Sequence, residues 1–297
     1  LLVTVGVSEA LDLAMRAIIN PGDEVIMPDP CYVSYDACTI LAGGIPVMVP
    51  TSEANGFEIE AADIEAKITD KTKAILLGYP ANPTGAVMPR SKLEQIAALA
   101  RRHNLFIISD EIYARLVYGI EHTCLAAFPT IRDNTILLGG FSKSYAMTGW
   151  RIGYAAGDKD VIAAMTKIHQ YTIMSAPTMG QVAAIEALES GDDSVNEMVE
   201  DYNRRRLVMV KGLCEIGLSC FEPRGAFYAF PSIKSTAMTS KEFAEKLLVE
   251  KKVAVVPGNA FGKCGEGYIR CCYATSLPEI EEALGRIKRF VDKYRVK

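Results

Sequence analysis

The sequence predicts an α/β chain with a large domain over residues 1–195, built on a mostly parallel sheet, and a smaller α+β domain over residues 196–297. Three observations carry this. Across the first half, short runs of aliphatic and β-branched residues alternate with helix-length stretches. Those runs are apolar throughout rather than at every second residue, the pattern of strands covered on both faces. After about residue 195 the alternation stops, and one long helical stretch leads into short strands and two further helices.

The strand-like runs fall at residues 2–5, 24–27, 45–49, 74–77, 105–109 and 135–138. Helical patterns lie between them at 8–19, 32–41, 61–68 and 91–103. Pro21-Gly22-Asp23 marks the turn after the first helix. Ser91 and Glu94 have the spacing of a capping box. In the second half a helix is expected at 194–216, strands at 227–233, 253–256 and 268–274, and a helix after Thr239, with Glu242 three residues on. A closing helix starts at Pro278, with Ser276 and Glu279 forming a further capping box. Neither repeats nor low-complexity tracts interrupt this order.

Composition narrows the function classes. Hydrophobic residues make up 49% of the chain, enough for a large core. The net charge is −4 and no Lys/Arg-rich run stands out, so no nucleic-acid or membrane-surface partner is expected. The longest apolar runs, such as 74–77 and 105–108, are far too short to span a bilayer. Eight cysteines lack any CxxC pair or zinc-site rhythm, so no metal is expected, and they are too sparse for a disulfide scaffold. They read as reduced, mostly buried thiols of a cytoplasmic protein. A bond between the adjacent Cys271 and Cys272 would be strained and is not expected. The chain opens on Leu1-Leu2-Val3-Thr4-Val5, which reads as a strand already under way, so residues are expected to precede it.

In a parallel sheet, ligands sit where the strands end. The first strand runs into Gly6-Val7-Ser8-Glu9 at a helix start, where free N–H groups and the helix dipole suit a phosphate. The second runs into Asp29-Pro30-Cys31-Tyr32, and the fourth into Tyr79-Pro80-Ala81-Asn82-Pro83-Thr84-Gly85, whose prolines stiffen a non-helical loop. The fifth ends in Asp110-Glu111-Ile112-Tyr113; an Asp closing a buried strand is costly without a cationic or proton-donating partner. Each of these has a plain structural reading too: a serine cap, a packed tyrosine, a turn, an aspartate cap. The sixth strand ends in Gly139-Gly140-Phe141-Ser142-Lys143, with Arg151 eight residues after the lysine in an apolar setting. A solvated loop lysine explains that segment poorly.

Taken in order, Asn82-Pro83-Thr84-Gly85, Asp110-Glu111-Ile112-Tyr113, then Ser142-Lys143 with Arg151 resemble the class I, fold type I aminotransferases that depend on pyridoxal 5′-phosphate. Gly225-Ala226-Phe227-Tyr228 and Val256-Pro257-Gly258 extend the resemblance through the second half. It is similar to the bacterial branch of aspartate and N-acetyl-diaminopimelate aminotransferases; His169-Gln170-Tyr171 and the segment 230–235 lean toward the latter. The resemblance implies that Lys143 binds the cofactor as a Schiff base and acts as general base. Asp110 would face the pyridine nitrogen, Tyr113 and Asn82 the phenolic oxygen, and Tyr32 the ring face. Val7, Ser8, Glu9, Ser142 and Arg151 would hold the phosphate, and Arg270 the substrate carboxylate, with Asn82 beside it. Gly140 stands where many members carry a serine, which removes one phosphate hydroxyl. The family also implies a homodimer, an N-terminal arm absent from this chain and a tyrosine from the neighbouring subunit, without which these 297 residues would be inactive.

The expected activity is transfer of an amino group from an amino acid to a 2-oxo acid such as 2-oxoglutarate. Two alternatives share the same lysine and aspartate: a C–S β-lyase, and the effector domain of a PLP-sensing transcription regulator.

Overall fold

The computed structural model describes residues 1–296. Seven strands form the first sheet: β1 (Leu2–Thr4), β2 (Glu24–Asp29), β3 (Ile45–Pro50), β4 (Thr72–Leu77), β5 (Phe106–Asp110), β6 (Thr135–Gly140) and β7 (Gly153–Ala156). They lie in the order β1-β7-β6-β5-β4-β2-β3. β7 pairs antiparallel with both β1 and β6, while β2 to β6 run parallel, so six strands end at one edge and β7 begins there.

Helices α1 (Gly6–Ile18), α2 (Ser34–Leu41), α3 (Ala61–Glu65), α4 (Arg90–Arg102), α5 (Phe141–Ser144), α6 (Lys159–Thr172) and α7 (Thr178–Ser190) accompany this sheet. Alternate residues of the central strands point to opposite faces. Val25, Ala74, Leu76 and Ile108 pack with α1 and α6 on one face, and Ile26, Ile75, Leu77 and Ile107 with α3 and α4 on the other. Both faces are dry, which is why these strands are apolar at every position.

The long α8 (Asp192–Ile216) leads into β8 (Tyr228–Ala229), α9 (Ser240–Lys251), β9 (Val256–Pro257), β10 (Ile269–Cys272) and α10 (Leu277–Tyr294). The second sheet has the order β8-β10-β9 and shares a core with α8, α9 and α10 around Phe243, Tyr273 and Phe290. Residue 195 falls in the first turns of α8.

The structure departs from the sequence pattern in several places. The helix at 91–103 starts at Arg90 with Pro89 in the capping position, so Ser91 is not a cap and Glu94 pairs with Arg90 instead. A proline has no side-chain acceptor, and its extended ψ of 143° starts the helix one residue early. The boxes at Thr239/Glu242 and Ser276/Glu279 do form. The strands expected at 227–233 and 253–256 shrink to two-residue ladders. Of the eight free cysteines only Cys31 and Cys271 are buried, so the thiols are not mostly buried. Cys271 and Cys272 remain separate on opposite sides of β10.

Candidate active site

The shared edge of the first sheet opens into a cavity of about 340 Å³. The turn into α1 supplies Val7 and Ser8, the loop after β2 Tyr32, the loop after β4 Asn82, β5 and its extension Asp110 and Tyr113, and α5 Ser142 and Lys143. Arg151 enters from the residues before β7; because β7 runs backwards, its start lies beside the ends of its neighbours. Arg270, on β10, is the contribution of the second sheet.

One end of the cavity is backbone. α1 begins with no side-chain cap, so the first-turn N–H groups of Val7 and Ser8 stay available, and the Ser8 hydroxyl is exposed. Gly6 sits at φ 72°, and a Cβ there would come within 2.6 Å of an Arg151 guanidinium nitrogen. Arg151 itself has φ 57° and ψ 49°, a left-handed conformation unusual for arginine, and donates from Nη1 to the Thr148 carbonyl at 2.8 Å. Gly140 has its own reason: a Cβ there would meet Val7 Cγ2 at 2.9 Å, so the valine crowds the place a side chain would start from.

The middle of the cavity holds a buried acid. Asp110 accepts from the Tyr35 hydroxyl at 2.8 Å and from the Ile112 N–H at 3.1 Å. Burial pushes its carboxyl up to about 6, against the two hydrogen bonds, which pull it down. Lys143 lies 5.7 Å from the Phe227 ring centroid, and burial lowers its pKa, with the Arg151 and Arg270 charges adding to the effect. The Tyr113 and Tyr228 hydroxyls share a hydrogen bond of 3.0 Å. Tyr32 and Tyr35 meet edge to face, 5.6 Å between centroids.

At the other end, Arg270 donates from Nη1 to Asn82 Oδ1 at 2.7 Å. Its guanidinium lies 4.3 Å from the Tyr228 centroid and 4.9 Å from that of Phe261. Its Nε is buried without a hydrogen-bond partner. The stiffness of the Asn82 loop is explained by a dock: Gly85, at φ 72°, accepts from the N–H groups of both Arg224 and Gly225 at 2.9 Å through its carbonyl. A Cβ at Gly85 would lie 2.3 Å from Pro223.

Glu9 is the one proposed site residue that does not line the cavity. Its carboxylate turns back to accept from the Val5 N–H at 2.5 Å and to pair with His169 Nδ1 at 2.7 Å. Three polar lining residues were given no role from sequence: Tyr35, Thr148 and Tyr228. Tyr228 lay within a quoted motif and could have been found there. Tyr35 is 75 residues from its partner Asp110, and no local pattern announces that contact.

None of Lys143, Arg151 and Arg270 is ion-paired among the described residues, and Asp110 is the only acid lining the cavity. Such an inventory fits an elongated ligand with a phosphate at the α1 end, a protonated ring nitrogen at Asp110, a carbonyl carbon within reach of Lys143, and a carboxylate-bearing partner at Arg270. The orphaned Arg270 Nε and the uncapped α1 N–H groups are unsatisfied donors that such ligands would satisfy.

The model of the family described as aminotransferase class I and II matches residues 1–287. A putative aminotransferase, YugH, of Bacillus subtilis (strain 168) is 56% identical over 293 residues, covering 99% of this chain and 76% of that protein. A probable N-acetyl-LL-diaminopimelate aminotransferase of the same organism is 44% identical over 295 residues, covering 99% and 74%. The crystal structure of an aromatic aminotransferase from Pyrococcus horikoshii OT3 superposes with a TM-score of 0.96 at 42% identity, covering 98% of this chain and 79% of that one. The chain is therefore a member of the class I and II aminotransferases, of fold type I, with pyridoxal 5′-phosphate as its cofactor.

Proposed function

We propose that Lys143 is the residue that bonds the cofactor and then moves the proton at the substrate Cα, and that Arg270 holds the α-carboxylate of amino acid and 2-oxo acid alike. When bound, the cofactor supplies an electron sink that lets the Cα–H bond of an amino acid be broken as a proton. Lys143 Nζ suits the transfer because burial and two neighbouring guanidinium charges favour its neutral amine. Asp110 keeps a proton on the ring nitrogen by presenting a buried carboxylate to it. Arg151, the Ser8 and Ser142 hydroxyls and the N–H groups of Val7 and Ser8 hold the phosphate. Tyr113 and Asn82 face the phenolic oxygen, and Tyr32 borders the ring face.

The observation that carries this reading is the charge inventory: three cations without an acid partner around one buried carboxylate. The second sheet, with residues 196–297, is the part that brings Arg270 to the substrate. The relatives reported above bear aminotransferase names, which favours amino-group transfer over the lyase and regulator readings. The donor is one of the aspartate or N-acetyl-diaminopimelate type, with 2-oxoglutarate as acceptor. A homodimer is supported by α7, whose Met179, Val182, Ile185 and Leu188 expose an apolar stripe at three-residue spacing. Cytoplasmic residence is supported by eight unpaired thiols. Among the described residues no helix is long and apolar enough to cross a membrane.

The test is a donor panel on the full-length protein: aspartate, alanine, aromatic amino acids and N-acetyl-diaminopimelate, each with 2-oxoglutarate. Glutamate formation from at least one donor is expected. No glutamate from any donor, or pyruvate release from cystathionine without an oxo acid, would contradict the reading.

A further inference from the structure

The chain has three histidines, and two of them clamp a glutamate behind the cofactor cavity: His169 on Glu9, and His122 on Glu111. Neither member of the second pair lines the cavity. Glu111 follows Asp110 directly, so the two side chains leave opposite faces of the chain. Asp110 faces the cavity; Glu111 is 8% exposed and faces a small void that also touches Ser109, His122 and Leu125. A buried carboxylate there needs partners. Glu111 Oε1 accepts from the Ser109 hydroxyl at 2.6 Å, and Oε2 pairs with His122 Nε2.

The backbone of Glu111 is fixed as well. Its N–H donates to the Leu138 carbonyl at 2.8 Å, extending the β5–β6 pairing, and its carbonyl accepts from Ala114 at 3.0 Å. Asp110 and Tyr113, which both face the cavity, therefore stand on a turn whose pivot is held from behind by one carboxylate.

We propose that Glu111 and His122 form a positioning pair for Asp110: together they lock the turn beneath its carboxylate, and the hydrogen bond between them tempers the repulsion that Glu111 exerts on a charged Asp110. The inference rests on the reading of Asp110 as the partner of the ring nitrogen. The charge on Glu111 disfavours a second negative charge next door, and the N–H that His122 presents offsets part of it. The other groups facing Glu111 are the Ser109 hydroxyl, the Cys124 thiol and the Tyr154 phenol; burial first, and Glu111 second, keep the latter two protonated. On the cavity side Asp110 meets Tyr35.

The experiment measures cofactor affinity of the full-length protein between pH 5 and pH 8 for wild type, Glu111→Gln, His122→Ala and His122→Gln, with melting temperature in parallel. Glu111→Gln keeps both hydrogen bonds and removes the charge, so cofactor is held to lower pH. His122→Ala leaves the charge uncompensated, so cofactor is lost at higher pH. At pH 5.5 the two dissociation constants should move in opposite directions by about threefold each, half a unit of proton affinity. His122→Gln, which keeps a hydrogen-bond donor to Glu111, should fall between wild type and His122→Ala and also guards against a folding defect. Shifts in the same direction, or weaker binding at every pH with an unmoved acid limb, would overturn the proposal and leave the pair as packing only. Asp110→Asn separates the underlying reading. It should bind weakly with no acid limb; wild-type affinity with the limb intact would take down both claims.

Discussion

The Arg151 end and the Arg270 end of the cavity carry the same functional group and are built in opposite ways. Arg151 stands on a strained backbone beside glycines, in a site made by neighbouring strand ends of one sheet. Arg270 comes from the second sheet, rests between aromatic rings and reaches across to Asn82. The first arrangement is fixed by the register of β6, β7 and β1, and suits a cofactor that stays. The second depends on how two sheets meet, and suits substrates that come and go. The lesson is that the charge alone does not assign the ligand; the rigidity of the element carrying it does.

The largest effect that would sharpen this contrast concerns Asp110, which stands between the two ends at the close of β5. Its folded value of about 6 lies above the ordinary 3.8, so the cofactor-free native state binds this proton more tightly than the unfolded chain does. Stability therefore falls as pH rises from about 4 to about 6, and a penalty of about 3 kcal/mol remains above that window. Cofactor-free Asp110→Asn should be more stable than wild type at pH 7.5, with the gain gone by pH 4, as read by denaturant unfolding. With cofactor bound the order should reverse, because a ring proton then pairs with the carboxylate.

Next in size is Arg270→Ala. Loss of a charge-assisted pair with a carboxylate is worth about 2 to 3 kcal/mol, roughly a hundredfold. Steady-state kinetics should show it in KM for donor and acceptor alike, with cofactor absorbance unchanged. Arg151→Ala should do the converse: cofactor affinity drops about tenfold, while substrate KM at saturating cofactor barely moves. If both variants disturbed both ligands equally, the two ends would not be separate. Tyr228→Phe is the smallest change. It removes one neutral hydrogen bond to Tyr113, worth about 1 kcal/mol, and should lower kcat a few-fold without touching cofactor affinity.

Much of the rigid end was legible in the sequence, because its residues sit at strand ends and strands announce themselves by apolar runs. Asn82, Asp110 and Lys143 end or follow such runs within a few residues, whereas Arg151 was legible through its spacing from Lys143. β7 was not legible: Gly153-Tyr154-Ala155-Ala156 is short and small, and its register is set by neighbours rather than by its own pattern. α7 went unassigned for a related reason. α7 buries only Gly180 and Ala184, so its apolar residues do not form the inward stripe that marks a helix. Tyr35 on Asp110, His122 on Glu111 and His169 on Glu9 are contacts across distant segments, and sequence spacing says nothing about them. For Glu9 the backbone position suggested a phosphate contact, and nothing in its spacing announced that its side chain pairs with a residue 160 positions away.

The central claim, that Lys143 is the anchor among all the lysines, is tested most directly by chemistry rather than by activity. The full-length protein, incubated with pyridoxal 5′-phosphate, is reduced with borohydride, digested, and the peptides weighed. The account predicts a single stable phosphopyridoxyl adduct, on the peptide containing Lys143, and none in Lys143→Ala. An adduct on another lysine, or an unmodified Lys143 peptide from protein that retains cofactor, would contradict it.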